Sequence, residues 1–368
     1  MTALSADSIS TEELQDVLAA GRPVTVIDVR EPADRDWYVP GSVMVDAYEA
    51  LQSGRLGPLA DFDFAPGLVV TVCGVGRTAA IATRLLRARG VEAVTLDGGM
   101  RAWSASWNTA EATLAGCEVV QVRRTGKGCL SYIVESDGEA VVIDASVDPD
   151  VYVRLVGERG WRLAAVVDTH IHADHLSRSR SLAQRTGAEL WMPAQDRTRY
   201  AFRPLADGDQ IAFGSTALDA LRTPGHTEDS TTCLLGEAAA FTGDTLFLGG
   251  VGRPDLEGGS RKESAPRARR LHHSLERVLQ LSPAAMVLPG HVSEPIAFDG
   301  RLLATTVGTI RDSVPLTRLG REEFVEAVLA RIPPSPPNHS RIVELNERGE
   351  LPEDPRELEA GANRCAIA

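Results

Sequence analysis

No apolar run in this 368-residue chain approaches the ~20 residues needed to span a bilayer, so none reads as a membrane helix. Positive charge is also short. The 38 lysines and arginines face 51 aspartates and glutamates, leaving a net charge of −13. That balance argues against nucleic acid or an anionic membrane surface as a partner. Cysteine is scarce, and the five residues (Cys73, Cys117, Cys129, Cys233 and Cys365) are scattered and odd in number. They fit a reducing cytoplasm better than a disulfide framework. Met1-Thr-Ala-Leu-Ser5 lacks the basic start and apolar stretch of a secretory signal, and a cytoplasmic protein is the expectation.

The length suits two domains, since a single core rarely grows much beyond ~250 residues. Hydrophobic residues at 43% and charged residues at 24% describe an ordinary globular protein. One basic segment, from Arg261 to Arg270, opposes the acidic balance and reads as the solvated face of a helix.

In the first hundred residues, Ser10-Thr-Glu-Glu13 predicts a capping box, with Leu14, Val17 and Leu18 following at helical spacing. Pro23–Val29 and Leu68–Val72 read as buried strands, and Val91–Leu96 as a third. Strands alternating with helices imply a parallel sheet, with active sites at the carboxyl ends of its strands. Cys73 stands at such an end. The loop Cys73-Gly-Val-Gly-Arg-Thr78 runs directly into a helix, whose N-terminus and backbone N–H groups favour a thiolate and can hold an anion against it. Gly74 and Gly76 leave the loop open to a ligand, and Arg77 adds a positive charge.

Ile27-Asp-Val-Arg-Glu31, Val39-Pro-Gly-Ser42, the Cys73 loop and Leu96-Asp-Gly-Gly-Met-Arg-Ala-Trp103 together resemble a rhodanese domain over roughly residues 8–108. The resemblance implies that Cys73 carries sulfane sulfur as a persulfide, with Arg77 as its catalytic neighbour and Gly74, Gly76 and Thr78 as the substrate-binding loop. Asp28 and Arg30 are then a structural ion pair. Active loops of that family usually place arginine five residues after the cysteine, where this chain has Thr78.

Ser104–Gly116 is polar and reads as a linker, assigned to residues 109–116. Short strands follow, with a hairpin signal at Asp137-Gly138. The densest chemistry is Asp168-Thr-His-Ile-His-Ala-Asp-His175, where three histidines and an aspartate fall within six residues after an apolar strand. Imidazole and carboxylate in that density suit zinc, iron or manganese. His226, Asp244 and His291 likewise sit just past short apolar strands, whereas His272, His273 and His339 lie in polar sequence and read as surface residues.

His170-x-His172-x-Asp174-His175, His226, Asp244 and His291, in that order, resemble the metallo-β-lactamase superfamily over roughly residues 117–300. The implied fold is an α/β rhodanese domain, a parallel sheet flanked by helices, followed by an αββα sandwich with metal at one edge. Residues 117–310 form the sandwich, and 311–368 an extension packed on it. Pro333–Asn338 reads as a rigid surface connector. Gly243-Asp-Thr-Leu-Phe247 and Gly250-Val-Gly-Arg-Pro-Asp-Leu256 are similar to the glyoxalase II and persulfide dioxygenase branches.

Those branches imply two chemistries. A hydrolase holds two zinc ions, with His170, His172 and His226 at one, Asp174, His175 and His291 at the other, and Asp244 between them. A dioxygenase uses one Fe(II) per chain, held by His170, His226 and Asp244; His172 is kept among the metal residues, and Asp174, His175 and His291 are supporting or second-metal groups. The rhodanese resemblance favours the second: O2-dependent oxidation of glutathione persulfide, or another low-molecular-weight thiol persulfide, to sulfite and thiol. Cys73 would exchange sulfur with thiosulfate or sulfite, and Arg253 would grip a carboxylate of the carrier. A homodimer is expected; a non-enzymatic sulfur carrier or sensor is the remaining alternative.

Overall fold

The computed structural model describes residues 7–258, 261–335, 338–361 and 363–368. Met1–Ser5 and Pro336–Pro337 of the proline run lie outside the described residues.

Helix α1 (Thr11–Ala19) begins on the expected capping box. The Ser10 hydroxyl accepts from the Glu13 N–H at 3.1 Å, and the Glu13 carboxylate accepts from the Ser10 N–H at 2.9 Å. Strands β1 (Ser8–Ile9), β2 (Val24–Asp28), β3 (Val43–Met44), β4 (Leu68–Val72) and β5 (Ala93–Leu96) pair in parallel, in the order β1-β5-β4-β2-β3. Val26, Val70 and Val94 face one core, and Ile27, Val69 and Ala93 face another. Helices α1, α2 (Tyr48–Gln52), α3 (Arg77–Arg87) and α4 (Gly99–Trp103) accompany this sheet. Burial on both faces explains the nearly continuous apolar runs of its strands.

The second sheet runs β12-β11-β10-β9-β8-β7-β6, from β6 (Asn108–Leu114), β7 (Cys117–Arg123), β8 (Leu130–Ser136), β9 (Glu139–Ile143), β10 (Arg162–Val167), β11 (Glu189–Pro193) and β12 (Arg203–Leu205). Residues 109–116 therefore do not link domains as expected. β6 pairs antiparallel with β7 along its whole length, from Asn108↔Arg123 to Leu114↔Cys117. It is an edge strand with mostly half-exposed side chains, and so lacks the apolar alternation that would have marked it. The Asp137-Gly138 hairpin forms, with both residues at positive φ.

The third sheet runs β13-β14-β15-β16-β18-β19, from β13 (Gln210–Phe213), β14 (Thr216–Arg222), β15 (Thr231–Leu235), β16 (Ala239–Gly243), β18 (Met286–Pro289) and β19 (Thr305–Thr306). Val141 and Ile143 of β9 point between the two sheets, towards Phe241 and Leu288. Ala140 and Val142 point outward towards α5 (Pro149–Glu158) and α6 (Ser179–Thr186). On the far side Val287 packs with Leu271 and Phe324 of α7 (Arg261–Leu279) and α9 (Arg321–Ala330), and with Ile310 of α8 (Val307–Ser313). This is the αββα sandwich. Among the described residues no helix is long and apolar enough to cross a membrane.

After α10 (His339–Arg348) and α11 (Arg356–Glu359), the chain returns to the sandwich, where β20 (Ala366–Ile367) pairs with β17 (Val251–Gly252). The first domain docks where β7 turns into β8. Trp37 Nε1 donates to Thr125 O at 2.9 Å, and a Cβ on Gly126 would lie 1.7 Å from Trp103 O. Only glycine allows that approach.

Candidate active sites

Cys73 directly follows β4 and is buried; its Sγ accepts from the Ala79 N–H at the start of α3, at 3.4 Å. Helix α4 holds the loop from the other side. Met100 N–H donates to Cys73 O at 2.9 Å and Arg101 N–H to Gly74 O at 3.0 Å. Arg30 forks onto Asp28 (Nε–Oδ1 3.0 Å, Nη2–Oδ2 2.7 Å), the expected structural pair. Thr78 is buried, its hydroxyl accepting from Gln52 Nε2 at 3.1 Å, while Arg77 is exposed and lines a shallow pocket with Asp97 and Arg84. Gly74 and Val75 face a different cavity, between the two domains.

The second site lies where strand ends of both sheets meet. Asp168–His175 follows β10, Asp144 follows β9, His226 follows β14, Asp244 follows β16 and His291 follows β18. Gly290 makes that convergence possible, since a Cβ there would stand 2.7 Å from Asp244 Oδ1. The seven histidines and aspartates expected here are all buried, and they fall into separate clusters.

His170, His226 and Asp244 form one cluster. Asp244 Oδ2 lies 3.5 Å from His226 Nε2 and 3.9 Å from His170 Nε2, and none of these three atoms has a hydrogen-bond partner. Hydrogen bonding on the far side of each ring sets the tautomer. His226 Nδ1 faces the carbonyl of Arg253 at 2.8 Å and must donate to it. Thr169 Oγ1 donates to Asp144 Oδ2 at 2.8 Å, which leaves it to accept from His170 Nδ1 at 3.0 Å. Both Nε2 atoms therefore present lone pairs to the same point. Burial, then His172, holds His170 well below the usual imidazole range and keeps it neutral. Burial pushes Asp244 up, but His291, both by its charge and by the hydrogen bond it donates, overcomes that and keeps it ionised. Buried, unpartnered and aimed together, these atoms fit a metal ion.

His172 takes another direction. Its Nε2 faces Asp144 Oδ1 at 3.3 Å and Asp168 Oδ1 at 3.8 Å, in a cluster separate from His170 and His226. Burial lowers its affinity for a proton, but Asp144 more than compensates and raises it well above the usual range. Asp144 itself sits at φ 54°, a left-handed conformation that is rare outside glycine.

The remaining cluster is Cys129, Asp174, His175 and His291. Asp174 Oδ2 accepts from Asn363 Nδ2 at 2.9 Å and from Cys129 Sγ at 3.5 Å, and lies 2.8 Å from His291 Nε2, off-line for a hydrogen bond. Its Oδ1 is 3.1 Å from His175 Nδ1. Burial and Asp174 push the Cys129 thiol up, but His175 and His291 bring it down to about 6.

Arg253 does not do what its loop suggested. The side chain is 0% exposed; Nε and Nη2 fork onto Asp255 (2.8 and 2.7 Å), and Nη1 and Nη2 donate to the carbonyls of Pro334, Arg364 and Pro333. No donor remains for a substrate carboxylate, so Arg253 does not grip the carrier as its sequence context implied. Arg253 instead pins the proline run and the tail onto the site. Beside the ligand loop, a cavity of about 540 Å³ is lined by Ile171, Ala173 and Thr227, with Arg197, Glu257 and His339 at its rim. His339 and His272 are half-buried rather than surface residues, and His272 Nε2 meets Leu319 O at 3.0 Å; His273 is exposed.

The tail holds groups that sequence reasoning missed. Asn346 of α10 donates to the carbonyls of His172 and His175 at 2.8 and 2.9 Å, clamping the ligand loop. Glu359 is 0% exposed, accepts from Leu176 N–H at 2.7 Å and pairs with Arg124 and Arg178. Asn363 donates to Asp174 Oδ2 at 2.9 Å, and nothing in the sequence linked the two.

A His-His-Asp trio at the edge of an αββα sandwich defines a protein of the metallo-β-lactamase type, here fused behind a parallel-sheet domain with Cys73 in the loop after its central strand. Comparison with known proteins agrees. Residues 124–291 match the Metallo-beta-lactamase superfamily, and residues 10–106 the Rhodanese-like domain. The chain is 33% identical over 213 residues to "Persulfide dioxygenase ETHE1, mitochondrial" of Bos taurus, covering 57% of this chain and 79% of that one. It is 30% identical over 220 residues to the "Hydroxyacylglutathione hydrolase" of Methylobacterium sp. (strain 4-46), covering 52% and 82%. The crystal structure of ETHE1 from Myxococcus xanthus superimposes with a TM-score of 0.54 at 31% identity, covering 62% of this chain and 96% of that one. The chain belongs to the metallo-β-lactamase superfamily, with a rhodanese-like domain at its N-terminal side.

Proposed function

We infer that this chain oxidises a low-molecular-weight thiol persulfide with O2 to sulfite and the free thiol, and moves sulfane sulfur through Cys73. The observation that carries the reading is the trio of His170 Nε2, His226 Nε2 and Asp244 Oδ2, two imidazoles and one carboxylate with nothing else to bind. That donor set suits Fe(II) with open positions. Bound there, one Fe(II) per chain would supply the oxygen chemistry.

The neighbouring group that could also hold an ion, Cys129, Asp174, His175 and His291, is partly tied into protein hydrogen bonds, which favours a single metal at the trio. Asp174, needed at a second site, already has both oxygens engaged by Asn363, Cys129 and His175. Asp244 Oδ1 accepts from His291 Nδ1 at 2.6 Å, while Oδ2, facing His170 and His226, has no partner. The likeness to ETHE1 persulfide dioxygenases, together with a rhodanese-like domain on the same chain, supports persulfide as substrate. With water as the source of the third oxygen the stoichiometry is RSSH + O2 + H2O → RSH + SO3²⁻ + 2H⁺, and the sulfane sulfur gives four electrons to O2. The cavity beside Ile171 and Thr227 is the entry for the carrier, with Arg197 its nearest guanidinium.

A dinuclear zinc thioester hydrolase is the second reading. It is favoured by the hydroxyacylglutathione hydrolase relative and by His175 Nε2, which has no partner. One experiment separates them. Anaerobically iron-loaded protein given glutathione persulfide should consume O2 and release sulfite one for one. If O2 is not consumed, iron is verified bound, and the zinc-loaded protein turns over S-lactoylglutathione, the hydrolase reading takes its place.

A further inference from the structure

A buried group of four side chains, Cys129, Asp174, His175 and His291, stands beside the trio, with one ligand atom of each within 4.8 Å of the others. By donor type, a thiolate, a carboxylate and two imidazoles, it is as well suited to a cation as the trio is. What separates the two groups is a fifth side chain. Asn363 of the tail donates from Nδ2 to Asp174 Oδ2 at 2.9 Å.

The other contacts on that carboxylate come from the group itself. His291 Nε2 lies 2.8 Å and Cys129 Sγ 3.5 Å from Oδ2, and His175 Nδ1 lies 3.1 Å from Oδ1. An imidazole nitrogen or a thiolate sulfur can turn a lone pair to a cation. The amide nitrogen of Asn363 has none to offer and presents only N–H. Its hydrogen, carrying partial positive charge, sits on the carboxylate oxygen that a second ion would have to share. No such donor faces the trio, whose His170 Nε2, His226 Nε2 and Asp244 Oδ2 have no hydrogen-bond partner among the described residues.

Asn363 is not free to swing aside. Its Oδ1 accepts from the Cys365 N–H at 2.8 Å, which also fixes which end of the amide faces Asp174. The Cys365 carbonyl accepts from the Arg253 N–H at 3.0 Å, and the Arg364 carbonyl from Arg253 Nη1 at 3.1 Å. Just beyond, β20 pairs with β17, so closely that a Cβ on Gly250 would stand 2.3 Å from Ile367 O. The seat of the tail on the sandwich therefore holds the amide against Asp174.

We propose that Asn363 is a positioning residue that limits the site to one metal ion, its amide standing on Asp174 where a second cation would bind. This rests on the reading of the trio as a single-metal centre. The tail, and not the ligand types of the sandwich, then sets the metal count.

The test uses the full chain, stripped of metal and titrated anaerobically with Co(II), with ions per chain counted by elemental analysis after desalting. The unaltered chain should hold one ion, without the near-ultraviolet absorption of a cobalt–thiolate bond. Asn363→Asp keeps an acceptor for the Cys365 N–H but sets a second carboxylate against Asp174, whereas Asn363→Ala only removes the donor. Both should hold a second ion about 10–100-fold more tightly than the unaltered chain does, and the Cys129 thiolate absorption should appear with it. A merely structural loss would cost metal rather than add it. One ion in whichever variant keeps its melting temperature overturns the role of Asn363 alone, as does a second ion without the thiolate absorption. Two ions in the unaltered chain overturn the one-metal reading and the role of Asn363 with it.

Discussion

His291 Nδ1 stands 2.6 Å from Asp244 Oδ1, so the carboxylate that completes the metal trio is oriented by a histidine from the neighbouring cluster. The same ring turns its Nε2 to Asp174 Oδ2 at 2.8 Å. The two clusters are therefore one network, and the metal position depends on groups that need not touch the metal. Outer partners of this kind typically contribute 10–100-fold to metal affinity. His291→Gln should weaken iron binding by about that factor, read by chelator competition. Unchanged affinity would show that Asp244 needs no such support.

Asp174 separates one metal from two. With both its oxygens engaged by protein groups, Asp174→Asn should still bind one iron per chain by elemental analysis. Loss of half of two bound metals would instead favour the dinuclear hydrolase.

Cys73 and the metal trio belong to different domains and share no ligand atom. Cys73→Ser should abolish thiosulfate-to-cyanide sulfur transfer and leave O2 uptake from supplied persulfide within about twofold of the unaltered chain. Loss of both activities would mean that the two sites work only as a unit.

Arg253 is buried and fully bonded, so its loss should show as instability rather than as a raised persulfide KM. Breaking a buried ion pair from one side costs about 3–5 kcal/mol. Arg253→Ala should therefore lower the melting temperature by on the order of 10 °C. Arg253→Lys should not rescue it, because an ammonium cannot fork onto Asp255 while reaching three carbonyls. A normal melting temperature with a raised KM would restore the substrate role.

Glu359 predicts an acid limit to stability. Burial pushes its carboxyl up, but Arg124 and Arg178 overcome that and hold it at about 2, against 4.5 for an unperturbed group. A depressed folded-state value means the unfolded chain takes up the proton first. The contribution, about 3 kcal/mol at 1.36 kcal/mol per unit, is present in full above pH ~5 and fades as pH falls towards 2. Denaturant unfolding between pH 3 and 6 should show this slope, and Glu359→Gln should flatten it. An unaltered slope in the variant would place the acid sensitivity elsewhere.

Much of the architecture was legible because local signals agreed with tertiary demands. The capping box at Ser10, the hairpin at Asp137-Gly138 and the strand-then-ligand rhythm before His170, Asp244 and His291 all formed as read. β6 was not legible. An edge strand with one wet face needs no apolar alternation, and only its register against β7 makes it a strand.

The sequence by itself determined which ligand types exist, their order, and that each would emerge at a strand end. It could not say which of them meet. His170 and His172 are two residues apart and chemically identical, yet one faces Asp244 and His226 while the other is captured by Asp144 and Asp168. That choice depends on which carboxylates the neighbouring strand ends bring within reach of each ring. Arg253 looked like a substrate clamp until the tail folded back and its carbonyls took every donor. Asn363 meets Asp174 across 189 residues of sequence. Contacts at such separation are set by how sheets and tail pack, and no local pattern encodes them.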